Sequence, residues 1–158
     1  MKRVTCTAIC LTLLMTTAAA MTGCRSGDGG TTDQGASERA VTALRGAWTL
    51  EQIEGDAVAA LLPEGSRAPF ISVDEAGRVT GFGGVNRLSS SLDIASASKG
   101  QWRLSPVITT KMAGPAQAMN LESRFVSLLG DAGTYEIDDQ RITLFNGDRR
   151  GVLRFLRR

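Results

Sequence analysis

The chain has 158 residues, a one-domain length, and its 22% charged and 42% hydrophobic residues give a globular rather than a disordered balance. It contains no histidine, which excludes Ser-His-Asp and Cys-His catalysis and the commonest zinc and copper ligand sets. The formal charge of +2 rests on Lys2 and Arg3, without which the basic and acidic residues balance at 16 each, and no nucleic-acid partner is expected.

Residues 1–23 read as a signal peptide. Lys2-Arg3 precede an apolar run, Ala8 to Met15, followed by Thr and Ala up to Met21-Thr22-Gly23-Cys24. The run is short and Thr-rich for a transmembrane helix. Small residues directly before Cys24 resemble a bacterial lipobox, in which cleavage frees the cysteine for acylation; an ordinary signal peptide ending near a cysteine is the alternative. Cys6 and Cys10 fall inside the removed segment, so Cys24 is left alone and no internal disulfide can form. Acylation at Cys24, with palmitate among the chains, would hold the protein on a membrane at ~0.8 kcal/mol per buried CH₂. Arg25, where an Asp would signal retention, points to the periplasmic face of the outer membrane in a Gram-negative cell.

Arg25 to about Ala40 is rich in Gly, Ser, Thr, Asp and Gln without apolar period. It reads as a flexible tether with a reach of roughly 20–25 Å. The chain therefore divides into a signal peptide (1–23), a lipidated Cys24 with its tether (24–44) and a domain over 45–158. The folded unit starts near Val41, with a short helical turn over Ser37–Leu44 before the first strand.

Strand patterns cover Ala47–Ile53, Pro69–Asp74 and Arg78–Phe82, the last two joined by a Glu75-Ala76-Gly77 turn. A helical fragment, Ala57–Leu62, is stopped by Pro63. Leu92 and Ile94 alternate with Asp93 and Ala95 as a further strand. Trp102, Leu104, Pro106 and Ile108 share one face at period two, with Pro106 arguing for an edge or a strand end. One helix follows, with Pro115 at its first position, Leu121, Phe125, Leu128 and Leu129 on one stripe, and Gly130 as its stop. Strands at Thr134–Asp138, Arg141–Phe145 and Gly151–Leu156 close the chain. The expectation is a mainly β (α+β) fold: a small antiparallel, partly open β-barrel of about eight strands, with the helix packed on it or plugging it.

The stretch Arg78 to Arg87, RVTGFGGVNR, places three glycines in four positions. It is neither a dinucleotide-binding fingerprint nor a P-loop. The glycines read as a bend where another backbone approaches, and Asn86 as satisfying backbone groups there. A ligand-facing Asn86-Arg87 pair is the sharper alternative, with Thr110 and Lys111 as further candidates for an anionic ligand. Asp74-Glu75, Asp131 and Asp138-Asp139 fall at turns and read as solvated. Glu122 beside the helix stripe reads as a boundary salt bridge. Arg149, Arg150, Arg154, Arg157 and Arg158 read as a solvated face, with attraction to anionic headgroups as the alternative. No catalytic residue, metal site or cofactor is expected.

Gly46-Ala47-Trp48-Thr49-Leu50, RVTGFGGVNR, Thr110-Lys111-Met112-Ala113-Gly114, Met119 through Glu122, and Phe125 to Leu129 occur in an order that resembles the META domain (HslJ-like) family. The resemblance runs from Gly46 to Phe155 and implies a small β-rich, partly open barrel with a helix. It also implies an exported or lipid-anchored protein without enzyme activity, supporting envelope stress or antibiotic tolerance. The alternative is a module that binds a lipid or an envelope protein at the barrel interior or rim. The family pattern has cysteine where this chain has Val85 and again where it has Gly114. Any redox or disulfide role of the family is therefore not expected here.

Overall fold

A computed structural model describes residues 31–158, with backbone alone over 31–37. The signal peptide, Cys24 and the start of the tether lie outside the described residues. The chain forms α1 (Thr31–Leu44), β1 (Gly46–Ile53), β2 (Asp56–Ala57), α2 (Val58–Leu61), β3 (Phe70–Val73), β4 (Arg78–Phe82), β5 (Arg87–Ser91) and α3 (Ile94–Ala97), followed by β6 (Ile108–Thr109), α4 (Ala116–Asp131), β7 (Thr134–Ile137), β8 (Arg141–Phe145) and β9 (Gly151–Arg157).

The strands form one antiparallel sheet in the order β6-β5-β4-β3-β1-β9-β8-β7, with β2 paired to β1. No continuous ladder joins β6 to β7. Instead the chain after α3 stitches the gap by single bridges, Leu92 to Leu104 on one side and Gln101 to Thr134 on the other. Trp102 N–H donates to Gly133 O, and Tyr135 N–H to Gly100 O. The expected partly open barrel is what forms, with a ninth, two-residue strand.

Alternation along the strands turns one face inward. Trp48, Leu50 and Ile53 of β1, Ile71 and Val73 of β3, Ile142 and Leu144 of β8, and Phe155 of β9 are buried. Helix α4 lies over them through Leu121, Phe125 and Leu129, with the Phe125 and Phe155 rings edge to face at 6.1 Å. Such pairs add about 0.5–1.5 kcal/mol beyond the area they bury.

The buried aromatic polar tips all reach carbonyls at helix ends, which have no partner within their own helix. Trp48 Nε1 donates to Leu44 O at the end of α1 (2.8 Å). Trp102 Nε1 donates to Leu129 O of α4 (3.1 Å), and Tyr135 Oη to Ala97 O of α3 (2.8 Å). Burial pushes the Tyr135 hydroxyl above its ordinary pKa of 10.0.

Five expectations differ from what forms. The tether ends sooner than Ala40, because α1 starts at Thr31 and its last turn buries Val41 and Leu44. Arg157 helps hold that helix end: it donates to Ala43 O and Arg45 O and lies over the Trp48 ring, so it is not part of a solvated face. The strand expected around Leu92 and Ile94 is a helix turn instead. There the Asp93 carboxylate caps α3 by accepting from Ala95 and Ser96 N–H, while the true strand, β5, lies just before it. Trp102 and Ile108 do not share a face, since Trp102 is in the core and Ile108 is exposed; Pro106 interrupts the ladder. Finally, α4 continues through Gly130 to Asp131, and Pro115 is its N-cap.

Candidate functional site

The glycine-rich stretch is the turn between β4 and β5, and it is built against α4. Gly83 N–H donates to Asn86 O (2.7 Å), closing the turn. Its glycines are required by contact. A Cβ on Gly83 would lie 2.6 Å from Glu122 Cγ, and Gly84 (φ +131°) sits against Ala118 O of the helix. A Cβ on Gly81 would run into the Phe70 carbonyl oxygen. Backbone does approach here, as the glycine pattern indicates.

Glu122 reaches from α4 into this turn. Its Oε2 accepts from Val85 N–H (2.9 Å) and Asn86 N–H (2.5 Å), and its Oε1 accepts from Asn86 Nδ2 (2.7 Å). Asn86 Oδ1 in turn accepts from Thr110 Oγ1 (2.8 Å) and Met112 N–H (2.7 Å), and Nδ2 also donates to Met112 O (3.3 Å). Asn86 and Glu122 are among the few buried polar side chains, at 5% and 9% exposure. Glu122 makes no ion pair among the described residues. The boundary salt bridge expected for it is replaced by charge-assisted hydrogen bonds to a turn, a strong form of the interaction.

The four candidate binding residues are thus divided. Asn86 is buried in this network, and the exposed Thr110 joins it through its hydroxyl, which also accepts from Arg87 N–H (3.2 Å). The side chains of Arg87 and Lys111 face solvent. Adjacent residues on an extended chain point to opposite sides, so Asn86 and Arg87 cannot act on one ligand together. Cys24 lies outside the described residues.

The two positions where the family pattern has cysteine meet in this network. A Cβ on Gly114 would lie 3.4 Å from Val85 Cβ, near disulfide spacing, and 2.7 Å from Val85 Cγ2. The valine branches fill the space that a side chain at 114 would need.

Among the described residues no His, Cys, Asp and Glu side chains gather as for a metal ion. No described helix is long and apolar enough to cross a membrane. A second site, which sequence reasoning missed, is an arginine-phenylalanine depression on the outer face of β3 and β4, lined by Arg67, Phe70, Thr80, Phe82 and Arg87. The only signal for it in the sequence was Phe70 and Phe82 at outward strand positions, which cross-strand register makes neighbours.

An open antiparallel barrel with one long helix locked to a glycine turn is the class of fold. The META domain family model matches residues 41–158; the chain belongs to this family. Among solved structures it is similar to a protein from Burkholderia xenovorans, with 20% identity over 76% of this chain and 87% of that one and a TM-score of 0.59. It is also similar to a second protein solved by NMR, with 19% identity over 76% of this chain and 92% of that one and a TM-score of 0.55. Both likenesses concern the fold. No curated protein matches the chain significantly.

Proposed function

We propose that the chain is a non-enzymatic cell-envelope lipoprotein, anchored through Cys24, that supports tolerance of envelope stress or antibiotics. The single observation carrying the non-enzymatic part is the hydrogen-bonded closure of Glu122 and Asn86. The polar groups of the turn are engaged with one another, and a general base or acid needs a free position toward a substrate. The anchoring part is supported by the lipobox-like run before Cys24, and the stress role by the family resemblance.

The alternative, a binding module, is favoured at the rim over the interior. Trp48, Trp102, Phe125 and Phe155 are fully buried and fill the space that a ligand inside the barrel would need.

Metabolic labelling with an alkyne palmitate tests the anchor. Label on the wild-type chain in the membrane fraction is expected, with loss of both label and membrane association in Cys24→Ala. An unlabelled wild-type chain overturns anchoring. Survival of a deletion strain under heat and antibiotic challenge tests the role: rescue by wild type and not by Cys24→Ala is expected, and unchanged survival on deletion overturns it.

A further inference from the structure

Phe70 and Phe82 are cross-strand partners on β3 and β4, with rings 6.4 Å apart and 29° from parallel. The Arg67 guanidinium lies over both, 4.5 Å from the Phe70 centroid and 5.7 Å from that of Phe82. Arg158, at the chain end beyond β9, lies 5.0 Å from the Phe70 centroid. Arg87, the cross-strand partner of Phe82, borders the same depression of about 290 Å³.

No acidic residue lines this depression, and neither Arg67 nor Arg87 has an ion-pair partner among the described residues. Like charges gathered without counter-charge raise the local potential and attract anions. A guanidinium over a ring is held by its face, which leaves its edge N–H donors for an oxyanion.

Beside it lies a groove of about 390 Å³ whose wall includes Val58, Leu62, Pro63, Ala68 and Leu156. The two share a border. Thr49 lines the groove and is the register partner of Phe70, and Ala68 follows Arg67 directly. Glu51 and Glu64 stand in the groove wall rather than in the cationic depression. The juxtaposition suits a molecule with one anionic head and an apolar body.

We propose that this face binds an anionic phospholipid at the membrane surface, with the phosphate on Arg67 and Arg87 and an acyl chain along the groove. The site deepens the anchored-envelope reading and rests on it for its setting. Its binding is measured on a chain that cannot be acylated, so the two fail separately.

The full chain carrying Cys24→Ala is floated with phosphatidylcholine vesicles, with and without phosphatidylglycerol. Binding to the anionic vesicles roughly 10-fold or more above the zwitterionic ones is expected, weakening as salt rises. Arg67→Ala/Arg87→Ala should abolish most of that difference. Thr80→Glu, an exposed change that sets a carboxylate in the depression, should do the same should the arginine variant fold poorly. Leu62→Asp should weaken binding from the groove side. Equal binding to both vesicle types overturns the proposal. So does anionic binding untouched by Thr80→Glu, or displacement of the vesicles by millimolar inorganic phosphate, which would mark a free-anion site.

Discussion

Asn86 and Arg87 are neighbours in the chain, yet they enter opposite kinds of surroundings. The Asn86 side turns inward to Glu122, Thr110 and Met112, where donors and acceptors are matched within the protein. The Arg87 side turns outward to a depression in which guanidinium groups have phenylalanine rings beside them and no carboxylate. The first arrangement is complete in itself and fixes the fold. The second keeps donors for something outside the chain. A motif that stands out in sequence can therefore mark architecture, while a binding surface assembles from residues that no motif unites.

The largest effect expected from breaking this contrast is at Glu122. Glu122→Ala leaves Val85 N–H and Asn86 N–H without their acceptor and Asn86 Nδ2 with Met112 O alone, and unpaired buried donors cost about 1–3 kcal/mol each. A loss of about 3 kcal/mol or more in unfolding free energy is expected, read by urea denaturation. Glu122→Gln, which keeps one acceptor oxygen, should lose less.

A gain of comparable size should come from joining the two positions that the valine now fills. In an oxidising preparation Val85→Cys/Gly114→Cys should form a disulfide and raise stability by about 2–4 kcal/mol over its own reduced form. Gly114→Cys alone should destabilise, because its side chain meets Val85. Two thiols that stay free under oxidising conditions would show that the segments do not meet as described.

The smallest effect concerns the sole tyrosine. The folded pKa of Tyr135 is raised by burial above the unfolded value of 10.0, so its contribution is fully present below pH 10 and lost as pH rises through the folded value. Ultraviolet titration should show tyrosinate appearing above pH 10 together with unfolding. Titration at the ordinary value in a folded chain would place the hydroxyl in water, away from Ala97 O.

Much of the fold was legible where burial is periodic. The alternation of Trp48, Leu50 and Ile71, Val73, and the stripe Leu121, Phe125 and Leu129, follow directly from one buried face. The serine-rich strand β5 escaped, since Ser89, Ser90 and Ser91 carry little strand propensity and Leu88 alone marks its inward side. Its neighbour α3 was announced by Asp93 three residues before Ser96, a capping signal outweighed by the alternation of Leu92 and Ile94. Of the candidate site, the bend was readable from its glycines, although the Asn86 side chain serves Met112 and Thr110 of another segment and not the backbone of the bend. Its carboxylate partner was not readable: Glu122 is 36 residues away, and only the docking of α4 brings it there. The cationic depression was equally hidden, because Arg67, Phe82 and Arg87 come from separate segments.

The contrast between a closed node and an open surface is tested most directly by measuring Glu122→Ala in both assays, in the Cys24→Ala chain. Unfolding free energy should fall by about 3 kcal/mol, while the molecules that remain folded bind phosphatidylglycerol vesicles as before. A Glu122→Ala chain of undiminished stability that no longer binds the vesicles would contradict the account.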